Sequence, residues 1–108
     1  MSRRALFEPE ASAELEEPAP WYEAQRSGLG LAFLAAADQA VEHLAAWPDS
    51  GAPVPGVPPS PLVRQLPISR FPYRIAYLVR LEELRVLAVA HARRRPDYWH
   101  ARTKPMLL

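Results

Sequence analysis

The sequence predicts an α+β fold in which a helical hairpin packs on a small, mainly antiparallel four-stranded sheet, in the order β-α-α-β-β-β. Two apolar runs, residues 73–79 and 84–90, flank a short charged link, which is typical of a β-hairpin. Residues 29–46 carry apolar side chains at helical spacing. Shorter apolar stretches, residues 4–7 and 62–66, supply the other two strands. At 108 residues the chain is the size of one domain.

Two prolines, Pro18 and Pro20, interrupt a stretch that otherwise favours a helix from residue 8 onward. A proline inside a helix removes a hydrogen bond and costs about 3 kcal/mol or more. We therefore expect a break at residues 17–20, with a second helical piece over 21–27. The Gly-Leu-Gly sequence at 28–30 then forms the turn into the long helix, so that the helices make a hairpin on one face of the sheet.

The remaining segments predict one loop and one short helix. Residues 48–61 hold six prolines and two glycines, which indicates a stiff loop. Residues 96–99, Pro-Asp-Tyr-Trp, can open a short C-terminal helix with proline in its first turn. We expect residues 105–108 to be frayed or docked on a partner.

Side-chain alternation predicts which faces of the hairpin strands are buried. In the first strand, Tyr73, Ile75, Tyr77 and Val79 share one face, so Arg74 emerges on the other. The second strand is apolar on both faces, as a central strand requires, with Leu84, Val86, Ala88 and Ala90 on one side and Leu87 and Val89 on the other.

Composition excludes several classes of protein and predicts a charged partner. No apolar run approaches the ~18 residues of a membrane span, and a chain without cysteine suits the cytoplasm. Three histidines at unrelated spacings predict no metal site, and we expect no cofactor. Residues 1–50 carry a net charge of −6 and residues 51–108 a net charge of +7. The basic half is expected to attract a polyanion or an acidic protein, unless ion pairs between the halves cancel it.

Most candidate functional residues follow the last strand, where cationic and aromatic side chains cluster. RNA cleavage by 2′-hydroxyl attack needs a base, cations for the developing phosphate charge and an acid for the leaving oxygen. Only histidine titrates near neutral pH without a large shift, whereas arginine stays charged and an aromatic ring can stack a base. The candidate set is Arg64, Arg70, Arg74, His91, Arg93, Arg94, Arg95, Tyr98 and Trp99.

Five of these residues also have a simpler interpretation. His91, at a strand end, can hydrogen-bond a backbone carbonyl. Arg93, Arg94 and Arg95 can form a solvated run or dock a partner protein. Trp99 can belong to the core rather than stack a base.

Two sequence patterns carry a family resemblance over residues 7–102. The order R-F-P-Y-R-I-x-Y, an apolar strand and A-V-A-H-x-R-R-x-P-x-Y-W resembles toxins of the RelE/ParE superfamily from bacterial type II toxin–antitoxin modules. The upstream residues Trp21-Tyr22-Glu23, Gln25, Gly28-Leu29-Gly30 and Phe33 are similar to the helical half of the same superfamily. The resemblance implies that the last three strands form an antiparallel meander, with the first strand beside the last.

The resemblance also implies site roles, in part. Arg74 matches the phosphate-stabilising arginine of RelE-type ribosome-dependent mRNA interferases, and Tyr98 matches their C-terminal tyrosine. Their two strand lysines are represented by Arg64 alone, and their second catalytic arginine aligns with Ala92, one position before Arg93. His91 and these residues form the predicted catalytic set (Arg74, His91, Arg93 and Tyr98), while Arg64, Arg70, Arg94, Arg95 and Trp99 are predicted to bind RNA or antitoxin.

The resemblance is compatible with two modes of toxicity, each with a cognate antitoxin as partner. One is mRNA cleavage at the ribosome; the other is inhibition of DNA gyrase by protein–protein contact, as the resemblance to ParE-type toxins implies. Either leaves open a homodimer or a hetero-oligomer with the antitoxin. A non-toxic, basic nucleic-acid-binding module is the alternative, and unhindered growth of a bacterial host on induction would favour it.

Overall fold

The computed structural model describes residues 3–104, so the prediction for residues 105–108 lies outside the described residues. The helices and strands follow one another along the chain largely in the predicted order. The strands are β1 (Arg4–Phe7), β2 (Ala52–Pro53), β3 (Arg64–Pro67), β4 (Tyr73–Val79) and β5 (Glu83–His91). The helices are α1 (Pro9–Glu16), α2 (Pro18–Gln25), α3 (Leu29–Ala46) and α4 (Asp97–His100), with 3₁₀ turns at Pro48–Ser50 and Ala101–Thr103.

The five strands form one mixed sheet in the order β1-β5-β4-β3-β2. β3, β4 and β5 are an antiparallel meander, and β1 pairs with β5 in parallel, which confirms both expectations drawn from the resemblance. The predicted count of four strands was wrong. The proline-rich segment contributes β2 at the sheet edge, where Pro53 can sit because an edge strand does not need every N–H.

The helical half follows the proline pattern. α1 ends at Glu16 and α2 begins at Pro18, so the predicted break is confirmed, although the second helical piece starts three residues earlier than expected. The two helices meet at Glu17, whose own backbone is helical. A proline fits the first turn of a helix because the N–H it lacks has no partner there. α3 has the predicted bounds.

Two glycines set the junction between α2 and α3. Gly28 has φ +87°, a conformation that glycine adopts without strain. Gly30 lies so close to α2 that an added Cβ would be 2.6 Å from the Ala19 carbonyl oxygen. The Glu23 carboxylate accepts hydrogen bonds from the N–H groups of Gly28 and Gly30, at 2.9 and 3.1 Å. A carboxylate from α2 therefore caps the N-terminus of α3.

The sheet separates two hydrophobic cores. The larger core lies between the sheet and the helices and is centred on Phe33, Leu44, Ile75, Tyr77 and Val86. The smaller core lies on the other face, where the proline-rich segment and α4 cover it; it contains Val54, Val63, Ala76, Leu78, Leu87, Ala88, Ala90 and Trp99. We call this second side of the sheet the open face. Burial on both sides confirms that β5 is a central strand.

A β-bulge in β5 corrects the predicted faces of that strand. Tyr77 pairs with Val86 and Ala76 pairs with Ala88, so Leu87 is an extra residue. Beyond the bulge the alternation reverses. Val89 then faces the helices, and Ala88 joins Leu87 on the open face. His91 is thereby brought beside Tyr73, with ring centroids 5.2 Å apart.

A buried hydrogen-bond pair gives a first stability prediction. The Tyr77 hydroxyl donates to the Pro48 carbonyl at 2.6 Å and accepts from the Gly51 N–H at 3.0 Å. Tyr77→Phe leaves both backbone groups without that partner, and we expect it to lower the free energy of unfolding by about 2 kcal/mol in urea denaturation. Tyr73→Phe, at a half-buried ring, is the control and should change it by less than ~0.5 kcal/mol. Equal effects of the two substitutions would contradict this account.

Candidate functional site

The end of β5 and the turn that follows it hold the cationic cluster. The Arg94 N–H donates to the His91 carbonyl at 3.0 Å and closes the turn. The Arg93 N–H donates to Nδ1 of His91 at 3.1 Å. The imidazole therefore has a backbone partner. The simpler interpretation had expected that partner to be a carbonyl, whereas the ring accepts a hydrogen bond from an amide. Its Nδ1 is thus occupied in the neutral ring, and Nε2 carries the proton.

Tyr98 lies between two guanidinium groups. The Arg94 guanidinium carbon is 3.6 Å from the ring centroid and that of Arg102 is 5.3 Å from it, both within cation–π range. The Tyr98 hydroxyl is buried and makes no well-formed hydrogen bond among residues 3–104, although it lies beside the Glu14 carboxylate. Burial, and then the negative charge of Glu14 and the contact of the hydroxyl with that carboxylate, raise the pKa of Tyr98 to about 12. A phenol with this pKa is a weaker proton donor at neutral pH than an ordinary tyrosine.

Two cavities flank the end of β5, one on each face of the sheet. The first, of about 330 Å³, lies between the α1–α2 junction and β5, and we call it the tyrosine cavity. The second, of about 260 Å³, lies on the open face, and we call it the arginine cavity. Glu14, Glu17, Pro18, Trp21, Tyr73, Val89 and Tyr98 line the first; Val54, Pro55, Gln65, Arg74, Ala76, Ala90, Ala92, Arg95, Pro96 and Trp99 line the second; His91 and Arg94 border both.

The predicted catalytic set is divided between these cavities. Arg74 emerges on the open face, as alternation predicted, and lines the arginine cavity. Tyr98 lines the tyrosine cavity. His91 borders both, and Arg93 lines neither. Arg74 and Tyr98 therefore line different cavities, which adjoin at His91 and Arg94.

The predicted binding residues do not all lie together. Arg94, Arg95 and Trp99 line the arginine cavity, whereas Arg64 and Arg70 do not. Arg64 donates to the Gly51 carbonyl at 2.9 Å, which ties β3 to the loop before β2. Arg70 is exposed in the β3–β4 turn with φ +73°. Trp99 is only 2% exposed in the smaller core, so the core interpretation fits its position and its ring faces are covered.

The local sequence pattern did not predict the ion pairs that join β5 and the C-terminal segment to the N-terminal part of the chain. The two terminal guanidinium nitrogens of Arg102 donate to the Glu14 carboxylate, at 2.9 and 3.2 Å. Arg102 also donates to the Leu87 carbonyl at 3.0 Å. Arg85 similarly binds Glu8 at 2.6 Å. The partners in the first pair are 88 residues apart, so no local pattern could have indicated it.

The unpartnered hydroxyl of Tyr98 predicts an alkaline titration. Because its pKa is raised, the folded state holds this proton while the unfolded chain releases it near pH 10. The stability that this raised pKa gives the folded state is fully present below pH 10 and is lost as pH rises towards about 12. The free energy of unfolding should therefore fall across that range of pH. Absorbance at 295 nm should show one tyrosine ionising near 12 that is missing in Tyr98→Phe. Ionisation of all four tyrosines together near pH 10 would contradict the assignment.

Neither a metal site nor a membrane span is found in the described part of the chain. No group of three or more His, Cys, Asp or Glu side chains within residues 3–104 could hold a metal ion. None of the helices described is both long and apolar enough to cross a membrane.

Comparisons with known proteins agree with the superfamily resemblance. A family model described as "ParE toxin of type II toxin-antitoxin system, parDE" matches residues 5–96. Among solved structures, the chain is similar to one from the "Chromosomal ParDE TA system from P. aeruginosa", with a TM-score of 0.69 and 21% identity over 83% of this chain and 96% of that one. At that identity the likeness bears on the fold alone. No curated protein matches significantly. Because the family model matches most of the chain, the protein belongs to the ParE toxin family of type II toxin–antitoxin systems, within the RelE/ParE superfamily.

Proposed function

We propose that this protein arrests bacterial growth by contact with DNA gyrase, without cleaving RNA, and that a cognate antitoxin neutralises it. The observation that carries the proposal is the division of the predicted catalytic residues between two cavities. Membership of the ParE family supports it further, because the sequence resemblance links ParE-type toxins to gyrase rather than to the ribosome.

The chemistry of RNA cleavage argues for the same choice. A general base, a general acid and a cation must surround one phosphodiester within hydrogen-bond reach. Here Arg74 and Tyr98 line different cavities, which adjoin at His91 and Arg94. The Tyr98 hydroxyl is buried with a pKa of about 12, which moves it away from the range of an efficient acid at neutral pH. An imidazole alone would then have to supply both proton transfers.

A toxin that acts by protein contact needs exposed anchors instead of a catalytic set. Trp21, Leu31 and Trp47 are large apolar side chains exposed on or beside the helical hairpin. Tryptophan is enriched among the residues that contribute most to protein–protein affinity. The helical side therefore offers apolar anchors, and the open face offers positive charge.

Tyr98→Phe tests the proposal in cells. If the hydroxyl is not used chemically, induction of Tyr98→Phe should stop growth as the unsubstituted protein does, and primer extension on cellular mRNA should show no new 3′ ends with either. Because the hydroxyl makes no well-formed hydrogen bond and only lies beside the Glu14 carboxylate, the free energy of unfolding at neutral pH should change by less than about 1 kcal/mol. Toxin-dependent mRNA ends that vanish in Tyr98→Phe would refute the proposal. Unhindered growth with the unsubstituted protein would favour the non-toxic alternative.

A further inference from the structure

The arginine cavity gathers positive charge without a counter-charge. Three arginines, Arg74, Arg94 and Arg95, line it, and no carboxylate among the described residues does. The ion pairs found within residues 3–104 are Arg4–Glu83, Arg85–Glu8 and Arg102–Glu14, so none neutralises these arginines. Clustered guanidinium groups repel one another, and an anion placed between them both relieves that repulsion and gains charge-assisted hydrogen bonds.

Arg94 borders both cavities, and its contacts hold it in place there. The Arg94 guanidinium stacks on the Tyr98 ring at 3.6 Å, and its backbone N–H is fixed on the His91 carbonyl. Arg74 extends from β4 opposite Ala90, which is a rigid position in the sheet. Because less side-chain freedom is lost on binding when the donors are held in place, an anion gains affinity from this arrangement.

The floor of the cavity is apolar. Ala76, Ala90, Val54 and Trp99 are buried members of the smaller core, and they form its base. A ligand that fills it must therefore present an aliphatic group beside its negative charge. An acidic side chain next to a leucine-sized side chain satisfies both requirements.

The aromatic rings nearby do not suit single-stranded nucleic acid. Base recognition in single strands depends on exposed ring faces on which bases stack. Trp99 is 2% exposed, and one face of Tyr98 is covered by Arg94. The cavity is thus suited to a carboxylate with an aliphatic neighbour rather than to a phosphate with a base.

We propose that the arginine cavity binds an acidic segment of the antitoxin in which carboxylates alternate with an aliphatic side chain. In an extended segment, residues i, i+2 and i+4 point to the same side, so a Glu-x-Leu-x-Glu pattern presents both groups to the cavity together. This inference rests on the proposed function only in naming the antitoxin as the partner.

Binding of a synthetic peptide to the full chain tests the inference. The probe is fluorescein-labelled Ser-Glu-Ser-Leu-Ser-Glu-Ser, followed by fluorescence anisotropy. Arg74→Gln and Arg95→Gln should each weaken binding by about tenfold, since each removes a charge-assisted contact. Arg26→Gln, an equal charge change at the exposed end of α2, should alter it by less than about twofold. Replacing the leucine of the peptide by serine should weaken binding by roughly fivefold, because the apolar floor loses its contact.

Three results would overturn the inference. An equal loss with Arg26→Gln would mean diffuse attraction rather than a site. A labelled 12-nucleotide uridine strand that binds more tightly and loses affinity in the same two arginine variants would assign the cavity to nucleic acid. No binding of the peptide to the folded, unsubstituted chain would reject the site itself. The assay contains neither gyrase nor cells, so each of these results leaves the growth-arrest proposal to its own test.

Discussion

Phe33→Ala is expected to lower the free energy of unfolding by about 4 kcal/mol, the largest effect of any substitution considered. Phe33 is fully buried on α3. Its ring centroid lies 5.4 Å from Tyr22, 5.2 Å from Phe71 and 5.3 Å from Tyr73. Removing the ring therefore leaves a cavity and also breaks three aromatic contacts, which joined two helices to the start of β4.

Chemical denaturation followed by circular dichroism measures this effect. Leu31→Ala, on the exposed side of the same helix, is the matched control and should change the free energy of unfolding by less than ~0.5 kcal/mol. A loss below about 1 kcal/mol for Phe33→Ala would mean that this aromatic cluster does not hold the helices to the sheet. Because Tyr73 also contacts His91, we expect the Phe33→Ala protein to lose order at the end of β5 as well.

Glu14→Ala is expected to cost about 3 kcal/mol, which is the second largest effect. It leaves the half-buried Arg102 guanidinium without its carboxylate. It also leaves the Val89 N–H without its acceptor at 3.1 Å. That amide lies beyond the last residue of β5 that β1 pairs, so the Glu14 side chain replaces a strand neighbour there.

An exposed ion pair provides the contrast for Glu14. Glu83→Ala breaks the Arg4–Glu83 pair, which spans 3.4 Å at the surface, and should cost less than ~0.5 kcal/mol. The double substitution Glu14→Ala with Arg102→Met should recover part of the loss, because no buried charge then lacks a partner. If Glu14→Ala and Glu83→Ala were equally mild, the C-terminal segment would have to be held by its apolar contacts alone.

Local patterns predicted the parts of the fold that depend on neighbouring residues. The spacing of apolar side chains predicted the extent of α3, the Gly-Leu-Gly turn predicted where it begins, and the two prolines predicted the break between α1 and α2. Alternation placed Arg74 on the open face. These features depend on helix and strand periodicity and on the missing N–H of proline. Both can be read from the sequence without knowledge of contacts between distant residues.

The features that were missed depend on pairing between distant residues. The bulge at Leu87 arises where β4 and β5 are fitted together, and it reversed the predicted faces from Ala88 onward. β2 exists only because two residues of the proline-rich segment meet β3. The residues at the end of β5 were expected to form one site because they are adjacent in sequence, yet the turn and α4 place Tyr98 and Arg74 in different cavities.

The most direct test of the central claim is DNA supercoiling by purified gyrase in the presence of the purified toxin, with no ribosomes or RNA. The account predicts that the toxin inhibits supercoiling in proportion to its concentration, and that Tyr98→Phe inhibits it equally. Undiminished supercoiling at a toxin excess that stops growth in cells, together with toxin-dependent breaks in mRNA in a translating extract, would contradict it.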